Sequence, residues 1–197
     1  MVAAGIAFGT VGCADKGPVT KVECSGRMKT ETRIVDLKYN GIRATDSIEV
    51  IISDKVKNIV VECDKRMLDY VNIAVEKNVL NIGYAELDIV GDPKTKVMIP
   101  ASPDIYYIYG MNGARISTQT PVAAAEVSIR GTSAAVLDIR IDADKCRVDI
   151  NNRAVLTLSG KAYECHVEAA TDAVFNGKEL ESDNFSSRTV GQAVINR

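Results

Sequence analysis

The chain has 197 residues, 24 basic against 26 acidic, a net charge of −2, and 46% hydrophobic residues with no Trp and only three Phe. That length suits one domain with a sizeable aliphatic core. The balanced charge lacks the basic stripe of a nucleic-acid binder, no run of about 18 apolar residues offers a transmembrane helix, and the single histidine, His166, leaves no set of metal ligands.

Residues 1–12 read as the remnant of a lipoprotein signal peptide. Val2 to Val11 is apolar or small, and Thr10-Val11-Gly12-Cys13 resembles the end of such a peptide, where Cys13 receives lipid. Thr10 stands where Leu is usual, and the absent basic segment points to a clipped start. The expectation is an exported protein, lipid-anchored in the periplasm or at the outer-membrane surface. Residues 13–31 are polar and aperiodic and read as a linker. Export permits disulfides, but Cys24, Cys63, Cys146 and Cys165 form no recognisable framework and no CxxC.

Residues 32–104 form a β-rich N-terminal part. Strands are expected over 47–52, 58–62, 73–76, 79–82 and 96–99, the third and fourth joined as a hairpin about Lys77-Asn78. The one helical candidate is short, 64–70, with Asp64 as its N-cap.

From residue 105 to 197 the chain repeats itself. Ala114-Arg115-Ile116, Ala135-Val136-Leu137, Ala154-Val155-Leu156, Ala173-Val174-Phe175 and Ala193-Val194-Ile195 each place a small residue, a variable one and a large apolar one. A period near 20 residues with strand-like content predicts an all-β fold, a parallel β-helix-like solenoid whose coils bury their faces against one another. Each coil holds two short strands. Val127 and Ile129 alternate with Ser128 and Arg130, and Cys146, Val148 and Ile150 repeat the pattern one coil on. In the second strand Leu137, Leu156, Phe175 and Ile195 stack inward beside the alanines. The interval from Val127 to Leu137 is ten residues and that from Val148 to Leu156 is eight, an even difference that keeps the facing. Residues 32–197 read as one continuous domain.

This layout resembles the putative auto-transporter adhesins with a head GIN domain, from about Arg33 to the end. The resemblance rests on Tyr39-Asn40-Gly41-Ile42, on Val60 to Asp64 with Met67-Leu68, on Lys77 to Ile82, and on Pro103 to Gly113 leading into the coils. The family's Gly-Ser-Gly turns survive as Gly110 and Gly113 and in part as Gly131-Thr132-Ser133. Later turns read Asn151-Asn152-Arg153, Ala170-Thr171-Asp172 and Val190-Gly191-Gln192, and Asn, Asp and Gly all tolerate positive φ. The family's acidic position after the turn is Val136, Val155, Val174 and Val194 here. The resemblance implies an exported or lipid-anchored envelope protein and names no ligand.

The candidate interaction surface comprises that outward valine column, Val136, Val155, Val174 and Val194, together with Tyr106, Tyr107 and Tyr109 at the start of the coils. Exposed apolar columns mark interfaces, while tyrosines stack on sugars or cover sheet edges. Cys146 and Cys165 occupy equivalent positions in adjacent coils. Their side chains point the same way, which favours two buried free thiols over a disulfide. His166 stands outward near Glu168 with no nucleophile or orienting partner, so no catalytic residue is assigned. Asp142, Asp144, Glu179, Glu181 and Asp183 sit at solvated turns, and no Gly-rich phosphate loop is present. No cofactor or metal is expected. The chain stops two residues after Ile195, in mid-pattern, so a second copy docking end to end is expected to cover the last coil. The sequence therefore reads as a non-catalytic, adhesin-like envelope protein binding an envelope protein or glycan, without nucleic acid. The alternatives are a polysaccharide-active β-helix enzyme and a structural or sensing periplasmic module.

Overall fold

The computed structural model describes residues 20–197, so Cys13 and the signal-peptide remnant lie outside the described residues. The N-terminal strands are β1 (Thr20–Glu23), β2 (Met28–Arg33), β3 (Gly41–Ala44), β4 (Glu49–Ser53), β5 (Ile59–Asp64), β6 (Val71–Glu76), β7 (Val79–Tyr84), β8 (Leu87–Val90) and β9 (Lys96–Pro100). The expected strands over 47–52, 58–62, 73–76, 79–82 and 96–99 correspond to β4, β5, β6, β7 and β9, and Lys77 and Asn78 turn the β6–β7 hairpin with φ of 50° and 63°.

Two expectations fail here. The segment expected to be a linker contains β1 and most of β2. β1 pairs in parallel with β8 and buries Val22, and β2 pairs antiparallel with β5. β2 is polar because it is an edge strand with most of its side chains in solvent, which is how charged edges resist stray pairing. The expected helix shrinks to one 3₁₀ turn, Leu68–Tyr70, with Asp64 outside it. Arg33 holds that turn by donating from Nη1 to the Val71 carbonyl at 2.5 Å and from Nη2 to the Leu68 carbonyl at 2.7 Å.

The remaining strands are β10 (Tyr107–Gly110), β11 (Arg115–Thr118), β12 (Val122–Gly131), β13 (Val136–Ile150), β14 (Val155–Ala170), β15 (Val174–Val190) and β16 (Val194–Asn196). They pair in parallel, and β3 and β4 extend the same stack upstream by pairing with β10 and β11. The molecule is all-β, a curled open sheet of mixed direction, because β2, β5 and β6 pair antiparallel at the N-terminal end. The strands of residues 105–197 pair in parallel, and the β-rich N-terminal part adds antiparallel strands joined by short connections.

The stack has two rows. The first row runs through β7, β3, β10, β12 and the later halves of β13, β14 and β15. The second runs through β9, β4, β11, the early halves of β13 to β15, and β16. The two short strands expected per coil are therefore fused, since the second strand of one coil continues without a break into the first strand of the next. Between the rows lies the core. Val97, Val50, Ile116, Leu137, Leu156, Phe175 and Ile195 are register partners in one inward column, fully buried except at half-buried Ile195. The alanines Ala114, Ala135, Ala154 and Ala173 line the adjoining column, each 0% exposed.

Small residues set that column's fit. A Cβ on Gly110 would meet Leu137 Cδ2 at 2.9 Å and one on Gly131 would meet Leu137 Cδ1 at 3.1 Å, so the leucine fills space that both glycines vacate. Phe175 takes a leucine's place two rungs on, after Leu156, and Gly177 makes room for its ring, since a Cβ there would lie 2.5 Å from Phe175 Cε1. The expected two-residue insertion between Val127 and Leu137 is absent. Val127 pairs with Cys146 and Ile129 with Val148, so both coils have the same interval. The extra residues precede Pro121, between Ser117, which pairs with Asp138, and Val122, which pairs with Ile141. One further residue enters β15 as a bulge between the pairs Thr157–Asn176 and Ser159–Glu179.

The turns joining the rows repeat as a ladder. Asn112 and Gly113, Ser133 and Ala134, Asn152 and Arg153, and Thr171 and Asp172 all have positive φ, between 50° and 75°. Each turn donates to the next, from the Gly113, Ala134 and Arg153 N–H groups to the carbonyls of Ser133, Asn152 and Thr171 at 2.9–3.0 Å.

Candidate interaction faces

The second row presents the valine ladder. Val136, Val155, Val174 and Val194 are successive register partners facing outward. Val136 and Val194 are 37% and 45% exposed, and the two between them are half-buried because neighbouring valines shield them. Upstream the same column is charged, reading Lys96, Glu49 and Arg115, with Lys96 and Glu49 3.8 Å apart. Beside the valines runs a polar column of Ser117, Asp138, Thr157, Asn176 and Asn196, in which Asn196 donates to Asn176 at 2.9 Å. The ladder is thus a narrow apolar strip on a flat strand face.

The first row presents the tyrosines, with partners the sequence did not suggest. Tyr109 stands in register between Arg43 of β3 and Arg130 of β12. Their guanidinium carbons lie 5.5 and 5.6 Å from its ring centroid, one on each side, which is cation–π geometry. Tyr107 lies 6.4 Å from Tyr109 and covers Gly41, where a Cβ would approach Tyr107 Cδ1 to 2.9 Å. Tyr106 is 45% exposed at the edge of this group. The arginines escaped sequence reasoning because they come from strands far apart along the chain. The signal available was the alternation in Gly41-Ile42-Arg43-Ala44, which points Arg43 outward.

The charges continue down the column. Arg130 pairs with Asp149 at 3.2 Å, and Glu168 and Arg188 follow in register. Arg147 stands on the neighbouring column beside Ser128. Among the described residues neither Arg43 nor Arg147 has a carboxylate within ion-pair distance, and Arg43 donates only to Met111 Sδ at 3.2 Å.

His166 has the partners that sequence reasoning denied it. Its Nδ1 lies 2.8 Å from Ser186 Oγ, its register partner, and its Nε2 lies 3.3 Å from Glu168 Oε1. The same chemical groups build acyl-transfer triads. Here His166 and Glu168 are 41% and 49% exposed on an open strand face, where such dipoles lack the desolvated setting that makes them effective.

Cys146 and Cys165 are register partners, buried and unbridged; half-buried Cys24 and buried Cys63 are also free thiols. The thiol of Cys146 is pushed up by the hydrogen bond it shares with Cys165 and by burial. Burial pushes the Cys63 thiol up to about 11. Both thiols are thereby kept protonated and unreactive.

The acids expected at turns lie instead within β13 and β15, and of them Asp142, Glu179 and Glu181 line one groove of 340 Å³, where bases interleave them. Asp142, Lys161 and Glu181 are successive register partners, and Lys161 reaches Glu181 at 3.4 Å. Among the described residues no group of three His, Cys, Asp or Glu side chains is placed to hold a metal ion, and no helix is long and apolar enough to cross a membrane.

Three solved structures share this fold. A putative adhesin from Bacteroides fragilis has a TM-score of 0.78 at 16% identity, covering 88% of this chain and 80% of its own. One from Parabacteroides merdae has a TM-score of 0.74 at 16% identity, covering 90% and 83%. A protein from Parabacteroides distasonis described as a putative lipid binding protein has a TM-score of 0.69 at 13% identity, covering 89% and 84%. No curated protein matches the sequence. The family profile described as putative auto-transporter adhesin, head GIN domain, matches residues 38–196, and this chain therefore belongs to that family.

Proposed function

We propose that the chain is an exported envelope protein, anchored through lipid on Cys13, that works as an adhesin-like binding module. It binds an envelope protein or glycan with the outward faces of its stacked rungs and catalyses nothing. In this reading the parallel part is a β-solenoid of coils near 20 residues, and its purpose is to hold side chains in fixed columns. One observation carries the reading: the Arg43, Tyr109 and Arg130 column, where side chains from three strands make a rigid, half-exposed platform away from the core. Family membership supports it.

A second copy of the chain is the proposed partner for the valine ladder, which exposes a strip of apolar side chains of one type. A lipid ligand, suggested by the description of one structural neighbour, is less well supported. The clefts of 760 and 420 Å³ are both rimmed by charged side chains.

The test is retention. Beads carrying residues 14–197 are passed over immobilised envelope proteins and glycans, with expected retention on at least one surface above that of blank beads. Retention on none contradicts the reading. For the anchor, a chain with its native upstream sequence partitions with membranes, and Cys13→Ser releases it. Unchanged partitioning of the variant contradicts lipidation.

A further inference from the structure

The tyrosine and arginine columns carry a more specific inference, which rests on the binding-module reading above. We propose that Arg43, Tyr107, Tyr109, Arg130 and Arg147 form a binding face for an acidic polysaccharide, with carboxylates held by the arginines, a sugar ring lying against Tyr107, and Tyr109 fixing the guanidiniums of Arg43 and Arg130.

Charge is the first argument. The whole chain carries a net charge of −2, yet this part of the first row gathers three guanidiniums, and its flanking acids are mostly engaged elsewhere, Asp149 with Arg130, Glu164 with Lys145 and Glu168 with His166, while Glu126 lines the cleft beside Arg147 outside ion-pair distance. Arg43 and Arg147 have no carboxylate partner among the described residues. An arginine donates through a planar fork that matches a carboxylate in two parallel hydrogen bonds. Two unpaired forks on one face suit a ligand that repeats carboxylates.

Geometry is the second. Adjacent parallel strands repeat at about 4.8 Å, so Arg43, Tyr109 and Arg130 form a regular line across three rungs. The ring of Tyr109 is held between two cations and that of Tyr107 lies across Gly41. The rings are fixed before any ligand arrives, which lowers the ordering cost of binding. Tyr107, whose register neighbours Gly41 and Ser128 are small, offers a sugar ring an aromatic surface, while Tyr109 is enclosed by its two arginines and holds them in place. A single-stranded nucleic acid fits less well, because its binders stack successive bases on open aromatic faces and both faces of Tyr109 are taken by arginines.

The experiment uses residues 14–197 and two probes of one backbone, polygalacturonate and its fully methyl-esterified form. Binding is followed by calorimetry at low and at raised salt, with oligo(dT) as a third ligand. The expected result is binding of polygalacturonate that weakens as salt rises, with the esterified polymer bound at least about tenfold more weakly. Arg43→Gln and Tyr109→Ala each weaken binding by about tenfold with unchanged circular dichroism, while Arg188→Gln, lower on the same face, leaves it unchanged. Equal binding of the two polymers, no binding of either, or full affinity in both variants overturns the proposal. Tighter binding of oligo(dT) overturns it in favour of nucleic acid. The double variant is also run on the beads. If they are still retained on the surface that held the wild type, this face is refuted while the binding-module reading stands. If wild-type beads were never retained, that reading fails by itself.

Discussion

Single residues show where the fold tolerates no change and where it carries strain. A Cβ on Gly160 would lie 2.1 Å from the Ile141 carbonyl oxygen, and its φ is +96°. Gly160→Ala is expected to cost about 2–5 kcal/mol, combining overpacking with a disfavoured backbone, as measured by urea denaturation. Thr171 is the opposite case, a β-branched residue with φ of 50°. Thr171→Gly removes about 1–2 kcal/mol of strain and adds roughly 0.5–1 kcal/mol of unfolded-state entropy, so a small rise in melting temperature is expected. Asp64 supplies the pH dependence. Burial alone would raise its pKa, but hydrogen bonds from the Arg66 N–H at 2.9 Å, the Ser25 hydroxyl at 3.0 Å and the N–H groups of Gly26 and Ser25 hold it below the ordinary value of 3.8. A depressed carboxylate contributes stability above its unfolded pKa and loses it as pH falls through the folded one. Asp64→Asn should therefore be less stable than the wild type at pH 7, with the gap closing below about pH 4.

At the scale of elements, facing is the property to test, because a slip of one residue exchanges the inside for the outside. Leu156 is 0% exposed and Val155 is its half-buried outward neighbour. Leu156→Ala is expected to cost about 2–5 kcal/mol, and Val155→Ala under about 1 kcal/mol. The reverse order in thermal unfolding would mean that the register is wrong. Much of this level was legible in the sequence. The inward column of Leu137, Leu156, Phe175 and Ile195 followed from period-two alternation, and the turns at Asn112-Gly113, Asn152 and Asp172 from residues that tolerate positive φ, whereas Ser133, Ala134, Arg153 and Thr171 adopt it without that signal. β1 and β2 were not legible, since a polar edge strand and a polar linker have the same composition and only the pairing of β1 with β8 and β2 with β5 separates them. The fusion of two short strands into β13, β14 and β15 was also hidden, because Gly160 and Gly177 read as breaks between strands, whereas they lie inside continuous ones. At the candidate face the tyrosines were readable as a local cluster. Their arginines were not, because pairing of Arg43 with Tyr109 depends on which strands become neighbours.

At the scale of the whole molecule the fold is a rigid stack that displays columns, and its two outward rows differ in chemistry. The valine ladder is apolar and uncharged, so self-association through it should respond to one charge. Light scattering at micromolar protein is expected to show a dimer or larger, and Val155→Glu to shift it to monomer. A monomeric wild type would remove the valine ladder from the account. The central claim is that the molecule binds and does not transform what it binds. It is tested most directly by incubating residues 14–197 with immobilised and free acidic polysaccharide, then measuring both the protein retained and the length and reducing ends of the recovered polymer. The account predicts protein retained and polymer unchanged. Shortened polymer with new reducing ends, abolished by a substitution in the Asp142, Lys161 and Glu181 groove or at His166, would contradict it.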